Sequence, residues 1–196
     1  PADHTQIIIA DDFEDDLSAA ITDLLECVDP LGIAGIDEWY DNVASGGKSL
    51  KLTNSRSVQY GHHPCLSKWF RGAQTLTKGT LSIAFDTLVP SESGSPLMVA
   101  IRDYSAQPAV NLLDMACTPQ GVRINKQSSR NARDQWVHYQ ISLPIGRPNA
   151  AATVQISDPT HGQRTVQESL PAAGAAAVSR VGLYLNGKSD GAVYPH

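Results

Sequence analysis

The chain has 196 residues, of which 41% are hydrophobic, which is enough for the core of one β-sandwich or barrel. Its formal net charge of -5 argues against a nucleic-acid partner, because no basic stripe is available to displace counterions from phosphates. It also lacks a run of about 18 apolar residues, so we expect no membrane insertion. We expect one β-sandwich domain over residues 1–196.

The first segment with a clear pattern is residues 15–29, where apolar residues recur at helical spacing behind a cluster of acids. Acids favour a helix N-terminus, and Pro30 and Gly32 end the pattern. The segment therefore predicts one short amphipathic helix near the N-terminus, packed against a sheet edge or an end of the sandwich. The Ala-rich residues 172–177 are too short for a second helix and predict a loop or a single turn.

Four later segments alternate apolar and polar residues with period two, which is typical of half-buried antiparallel strands. They are residues 79–87, 95–104, 136–143 and 180–186. In the second segment, Leu97, Val99 and Ile101 form the expected buried face. Clusters of Gly, Pro and Ser predict turns between strands at residues 45–47, 90–96, 144–148 and 171–174. Turns at these intervals between strands favour an all-β fold.

The strand faces opposite the buried ones carry aromatic and hydrogen-bonding side chains. A face that only contacts solvent usually carries Lys, Glu, Ser and Thr instead. Aromatic rings stack on the C–H faces of sugars, and fixed polar groups bind sugar hydroxyls. We therefore expect a carbohydrate-binding site formed by Arg102, Tyr104, Trp136, His138, Gln140, Tyr184 and Asn186. Two alternatives stay open, namely that His138 is a surface or packing residue and that Trp136 only covers the edge of the core.

The three cysteines, Cys27, Cys65 and Cys117, are too widely spaced for a zinc site, whose ligands normally come in close pairs. Two interpretations stay open: one disulfide with one free thiol, or three small buried residues in a reducing compartment. If a bridge forms, we expect it between Cys65 and Cys117, because Cys27 lies in the segment with helical spacing.

The order of elements resembles a known superfamily. A strand ending in Asp-Phe-Glu at residues 7–14 and Trp39 come first, followed by Gly-Gly-Lys-Ser-Leu-Lys-Leu at 46–52 and Gly-Thr-Leu-Ser-Ile-Ala-Phe-Asp at 79–86. Gln-Trp-Val-His-Tyr-Gln-Ile at 135–141 and Arg-Val-Gly-Leu-Tyr-Leu at 180–185 close the series. This order resembles the concanavalin A-like lectin/glucanase superfamily, the laminin-G-like jelly roll of bacterial carbohydrate-active and surface proteins.

The resemblance covers nearly the whole chain except the helical segment. It implies an all-β, antiparallel two-sheet jelly-roll sandwich whose concave sheet carries ligands. It also implies a secreted or cell-surface protein. Because the sequence starts at Pro1 without the charged and apolar regions of a signal peptide, we expect that a signal peptide has been removed or that the domain was cut from a larger protein. On this basis we expect a non-catalytic domain that binds a poly- or oligosaccharide.

Catalytic members of the superfamily provide a test for hydrolysis. Retaining glucanases of this fold carry two glutamates flanking an aspartate on one strand, because retaining hydrolysis needs carboxylates about 5 Å apart. The acids of this chain lie in loops or singly on the expected strands. We therefore expect no glycoside hydrolysis and assign no catalytic residue.

Lyase activity is an alternative. Lyases of this fold move a proton with Tyr and His beside a uronate carboxylate that Arg or Gln neutralises. These residue types occur on the expected ligand face, and Tyr60, His62, His63 and Arg71 could line its rim. The strand motifs of alginate lyases do not occur, so lyase action on a uronate-containing polymer stays the second hypothesis. A structural or interaction module of a larger surface protein is the third.

A calcium ion often sits at a strand end in this superfamily. Asp12 and Glu14 offer the hard oxygen ligands that calcium prefers, so we expect them to bind any structural calcium ion. The chain ends at residues 191–196 without the acidic pair that usually completes such a site. Ordinary solvated acids are therefore the competing interpretation.

Overall fold

The computed structural model describes residues 25–27, 35–40, 48–147, 149–170 and 177–195. Within these ranges the only helix is one 3-10 turn at Gly72–Gln74, and the regular structure is otherwise β. The strands are β1 (Leu25–Cys27), β2 (Gly35–Tyr40), β3 (Lys48–Asn54), β4 (Cys65–Trp69), β5 (Gly79–Leu88), β6 (Leu97–Asp103), β7 (Val110–Thr118), β8 (Gly121–Ile124), β9 (Gln127–Arg130), β10 (Val137–Ile145), β11 (Ala151–Asp158), β12 (Gly162–Ser169), β13 (Arg180–Leu185) and β14 (Gly191–Pro195).

The strands form two antiparallel sheets of seven strands each. The front sheet has the order β1-β4-β13-β6-β7-β8-β9, and the back sheet has the order β12-β11-β10-β5-β14-β3-β2. Non-consecutive strands are neighbours in both sheets, as in a jelly roll. The expected all-β antiparallel sandwich is therefore confirmed. No helix in the described part of the chain is long and apolar enough to cross a membrane.

The core lies between the two sheets and is built from alternate residues of their strands. On the front sheet, Leu97, Val99 and Ile101 are at most 2% exposed, as the alternation predicts. On the back sheet, Tyr139 and Ile141 are fully buried. Burying each side chain of this size contributes roughly 1.5–3 kcal/mol, so these strands supply a large share of the stability.

The predicted strands agree with the observed ones except near their ends. The turn expected at residues 144–148 begins late, because β10 continues through Pro144 to Ile145. Pro144 lies beyond Ser142, the last residue that pairs with β11, so β10 has only β5 as a neighbour there. A strand with one free side tolerates proline, since the missing N–H leaves no gap in the ladder.

The helix expected at residues 15–29 is wrong at its C-terminal end. Leu25–Cys27 is a strand that pairs with β4, with Leu25 opposite Leu66 and Cys27 opposite Cys65. A short apolar run fits either period, and pairing with an available strand edge decides the outcome here. The rest of the segment lies outside the described residues.

Cys65 and Cys117 are both buried and are not bridged to each other. Cys117 belongs to the core between the sheets, whereas the Sγ atom of Cys65 lies 3.3 Å from Oγ of Ser67. Their side chains occupy opposite faces of the front sheet, so no bridge geometry is available.

One side edge of the sandwich is closed by Arg164 on β12. Its Nη1 donates to Oδ2 of Asp158 at 2.7 Å, its Nε donates to Oγ of Ser129 at 2.7 Å, and its Nη2 donates to Oδ1 of Asn131 at 2.7 Å. Asn131 in turn donates to the hydroxyl of buried Tyr139. The guanidinium therefore joins the back sheet to β9 of the front sheet.

Candidate functional site

A groove of about 300 Å³ lies on the outer face of the front sheet. One row of the strand register crosses it: Tyr184 lies opposite Met98, Met98 opposite Ala116, and Ala116 opposite Arg123. Met98 lines the floor of the groove, and both Met98 and its neighbour Ala116 are only 5% exposed. The two ends of the row, Tyr184 and Arg123, stand as walls. The groove therefore lies over buried side chains in the middle of the row and between Tyr184 and Arg123 at its ends.

The polar lining comes from four neighbouring strands and one turn. It consists of Arg102, Asp114, Arg123, Asn125, Lys126 and Tyr184. Three of these residues are cationic and one is anionic. The groove is therefore positive, although the chain as a whole carries a net charge of -5.

Arg102 and Asp114 form an ion pair at the base of the groove. Nη2 of Arg102 donates to Oδ1 of Asp114 at 3.3 Å, and the two side chains are 27% and 31% exposed. Burial acts to lower the pKa of Arg102, but the Asp114 carboxylate and the Tyr104 side chain outweigh it, so the pKa is raised. Nε of Arg102 is buried without a hydrogen-bond partner among the described residues. Arg102 is thus a permanent cation whose donors are not all used.

The turn between β8 and β9 holds one wall of the groove in place. Asn125 has φ 48, a left-handed conformation that asparagine tolerates. Its side-chain Oδ1 accepts from the backbone N–H of Asp114 at 2.8 Å, and its own N–H donates to the Asp114 carbonyl at 2.7 Å. This double link fixes Arg123 and Lys126 beside the groove, although both side chains are exposed.

Tyr184 forms the opposite wall. Burial raises its pKa, and the nearby Arg102 opposes this effect without cancelling it. The phenol is therefore protonated at neutral pH. It can donate a hydrogen bond to a ligand oxygen.

An aromatic platform adjoins the groove at Trp69. The register places Trp69 opposite Arg180 and Arg180 opposite Arg102, so Trp69 lies two strands from Arg102. The Trp69 ring centroid is 5.2 Å from that of Tyr104, and Tyr104 is 37% exposed. The guanidinium carbon of Arg71 lies 4.9 Å from the Trp69 ring centroid, within the range of cation–π attraction.

Arg180 connects the platform to the centre of the sheet. Its Nε and Nη2 donate to Oγ of Ser67 at 3.1 Å and 2.7 Å. The side chain lies over Gly182, where a Cβ atom would come within 3.6 Å of the Arg180 guanidinium carbon. The absence of a side chain at Gly182 therefore leaves room for the guanidinium to lie flat on the sheet.

The structure brings together only part of the predicted site. Arg102 and Tyr184 line the groove, and Tyr104 belongs to the platform with Trp69. Asn186 follows β13 and is exposed; its backbone N–H donates to the Pro96 carbonyl, and it does not line the groove.

The other three predicted residues belong to the back sheet, and their assignment to the same site is wrong. Trp136 directly precedes β10, and His138 and Gln140 lie on it. Their outer face is separated from the groove by the whole core. Alternation shows which residues share a face of one strand, but it does not show which sheet the strand joins.

The outer face of the back sheet is polar and flat. Nδ1 of His138 lies 3.1 Å from Oδ1 of Asp86, and both side chains are more than two-fifths exposed. Gln140 lies opposite Ala84 on one side and Gln155 on the other. His138 is therefore exposed on the outer face of the back sheet.

Several groove residues could not be recognised from the sequence. They are Asp114, Arg123, Asn125 and Lys126, together with Trp69 on the platform. The alternation of β7 is broken where its register with β6 shifts at Arg102, which hides Asp114. β8 and β9 have only four residues each, so their periodicity is too short to identify.

The loop before β4 contains a cluster of rings. The ring centroids of Tyr60 and His63 are 5.2 Å apart, and those of His62 and His63 are 4.8 Å apart. No group of three or more His, Cys, Asp or Glu side chains within the described residues is placed to hold a metal ion. Asp12 and Glu14 lie outside those residues, so the calcium site stays a prediction.

The sequence matches no protein-family model, and no curated protein matches it significantly. Solved structures do match its fold. The catalytic domain of a glycoside hydrolase family 131 protein from Coprinopsis cinerea has a TM-score of 0.53 at 12% identity, covering 88% of this chain and 80% of that one. The endo-β-1,4-glucuronan lyase from the fungus Trichoderma reesei has a TM-score of 0.52 at 10% identity, covering 83% and 84%.

A third structure matches nearly the full length of both chains. It is a family 131 β-glucanase catalytic domain from Podospora anserina, with a TM-score of 0.51 at 11% identity, covering 97% of this chain and 96% of that one. Similarity at this level of identity concerns the fold. The chain therefore has the concanavalin A-like jelly-roll sandwich fold that its sequence resembles.

Proposed function

We propose that this domain binds a polysaccharide along the outer face of the front sheet. The observation that carries the proposal is the polar groove of about 300 Å³ next to the Trp69 platform. Sugar sites combine a ring surface for C–H groups with fixed donors and acceptors for hydroxyls, and both parts occur on this face.

The positions of the two parts suit an extended ligand. Trp69, Arg180 and Arg102 are successive partners across three strands. A sugar stacked on Trp69 would therefore have its neighbours over Arg180 and in the groove. A single monosaccharide would use only one of these positions.

The fold supports a carbohydrate ligand in a general way. Proteins that share it include a glucuronan lyase and a β-glucanase domain, both named for action on polysaccharides. One fold hosts many functions, so the groove and platform carry more weight than the fold.

Binding without hydrolysis is favoured by the side chains in the groove. Among the described residues, Asp114 is the one carboxylate that lines the groove, whereas glycoside hydrolysis requires a pair. No histidine lines the groove among the described residues. The raised pKa of Tyr184 also makes its phenol a poor base at neutral pH.

The test is affinity electrophoresis against a panel of neutral and uronate-rich polysaccharides, comparing wild type with Trp69→Ala. We expect at least one polymer to retard the wild-type protein and Trp69→Ala to weaken that retardation about tenfold, since one stacked ring contributes roughly 1–2 kcal/mol. Trp136→Ala is the matched control on the back sheet and should bind as wild type. Retardation that depends on Trp136 and not on Trp69 contradicts the proposed face.

A second candidate is a polysaccharide lyase, because Tyr184 and Arg102 line the same groove. A lyase needs a group that moves the proton and a cation that neutralises the uronate carboxylate. The same mixtures should therefore be assayed for new unsaturated ends. Their appearance with wild type and their loss with Tyr184→Phe would establish the lyase.

A further inference from the structure

We infer that the ligand of this groove is an anionic polysaccharide, bearing a carboxylate or a sulfate group on its sugars. The inference deepens the proposed function and rests on it. It concerns the charge of the sugars, which the ring platform alone does not determine.

The first support is the charge of the lining. Arg102, Arg123 and Lys126 face one acid, Asp114, so the lining carries a net charge of +2 at neutral pH. The whole chain carries -5, so the rest of the protein repels a polyanion. A site that binds only neutral sugars gains nothing from gathering cations, because charged groups lose hydration when a ligand covers them.

The second support is the incomplete bonding of Arg102. A guanidinium has five N–H donors, and one ion pair with Asp114 at 3.3 Å uses part of this capacity. Nε is buried without a partner among the described residues, whereas the side chain as a whole is 27% exposed, so the donors that a ligand can reach belong to the exposed part of the side chain. A ligand oxyanion in the groove is the acceptor for which these donors are suited, because guanidinium binds carboxylates and related anions with paired hydrogen bonds.

The third support is that the cations continue from the groove to the platform. Arg180 lies opposite Arg102 in the register, and its guanidinium carbon is 5.1 Å from the Trp69 ring centroid. The path from Arg123 on β8 to Trp69 on β4 crosses four strand spacings of roughly 4.8 Å and also runs four residues along β4, because Cys65 and not Trp69 shares the row of Arg123, so its length is roughly 23 Å. A line of positive charge of this length matches an oligomer with repeated negative charges better than one isolated anion.

The test is to remove the positive charges from the groove wall at the turn between β8 and β9. Arg123→Gln with Lys126→Gln removes two charges from solvent-exposed side chains, so the fold should persist. The matched control is Lys78→Gln with Arg147→Gln, which removes two exposed charges beside β5 and β10 of the back sheet. Thermal unfolding of both variants checks that they are folded.

The probes are polygalacturonate, dextran sulfate and a neutral β-glucan, each titrated at low and at high NaCl. We expect an anionic polymer to bind more tightly than the β-glucan. High salt should weaken the binding of the anionic polymer, because salt screens the attraction between opposite charges. The groove variant should weaken binding about tenfold, and the back-sheet control should leave it unchanged. Preference for polygalacturonate assigns the anion as a carboxylate, and preference for dextran sulfate assigns it as a sulfate.

The outcomes separate the two proposals. Binding of the β-glucan with equal affinity, insensitive to salt and to the groove variant, overturns the anionic ligand and leaves polysaccharide binding intact. Equal loss of binding in the groove variant and the back-sheet control also overturns it, because the effect then comes from net charge. If none of the polymers binds, the proposed function fails and the inference fails with it.

Discussion

The guanidinium carbon of Arg180 lies 5.1 Å from the centroid of the Trp69 ring, while its nitrogens donate to Ser67. Trp69 and Arg180 are direct partners on β4 and β13. The hydrogen bonds to Ser67 hold the guanidinium over the ring. Arg180 therefore orients the platform as well as charging it.

Gly182 offers a way to test that arrangement. Gly182→Val should push the Arg180 side chain off the sheet and weaken polysaccharide binding about fivefold, because its added methyl groups occupy the space that the guanidinium fills. Gly182→Ala is the control, since a Cβ atom there makes ordinary contacts of 3.4–3.6 Å. Titration of both variants with a polymer that binds wild type measures the effect. Equal affinity of Gly182→Val and wild type would show that the position of Arg180 does not matter.

The ion pair between Asp158 and Arg164 should make the folded protein less stable in acid. Burial acts to raise the pKa of Asp158, but the N–H of His161 and the guanidinium of Arg164 outweigh it, and the pKa falls to about 2. A lowered pKa stabilises the folded state above the unfolded pKa, about 4, and this contribution is lost as the pH falls toward 2. We expect the lowered pKa of Asp158 to contribute about 2 kcal/mol to the free energy of unfolding at neutral pH. Roughly half of this contribution is lost by about pH 3.

Urea unfolding at neutral pH and at about pH 3 measures this contribution. Wild type should lose about 1 kcal/mol more than Asp158→Asn over that interval. The comparison between the two proteins removes the effect of the other acids. An equal loss in both would mean that Asp158 does not titrate as expected.

The Cys117 thiol should be unreactive in the folded protein. Burial raises the pKa of Cys117 to about 12, and the residue is 0% exposed, so almost no thiolate is available at neutral pH. Alkylation with iodoacetamide followed by peptide mass spectrometry should label Cys117 only after unfolding. Rapid labelling without denaturant, or a peptide that joins Cys65 to Cys117, would contradict this prediction.

Calcium binding stays a prediction from the sequence alone. If Asp12 and Glu14 hold a structural calcium ion, chelation with EDTA should lower Tm by about 5 °C, because ligand binding stabilises only the folded state. Added calcium should restore Tm. The double variant Asp12→Asn with Glu14→Gln should not respond to EDTA. A wild-type Tm that is unchanged by EDTA would remove the calcium site.

The sequence predicts the fold well, because burial on strands has a simple period. Leu97, Val99 and Ile101 on β6 and Val137, Tyr139 and Ile141 on β10 are buried as the alternation requires. The same period fails at residues 25–27, where pairing with β4 decides the structure. Local pattern is informative where the chain buries one face of a long strand.

The site is less predictable, because it depends on which strands become neighbours. Arg102 and His138 have the same sequence signature, a polar residue on the outer face of a strand, yet they lie on different sheets. Asp114 and Arg123 are brought to Arg102 by pairings between β6, β7 and β8. Those pairings are long-range properties of the topology.

The floor of the groove has a consequence for specificity. Next to Met98, the sheet carries small residues on the same face, with Ala116 between Met98 and Arg123 and with Gly182 opposite Ala100. A larger side chain at Ala100 or Ala116 would make the depression shallower while leaving every cation in place. Depth and charge can therefore change independently, so related chains with the same cations could admit polymers of different width through a single small residue.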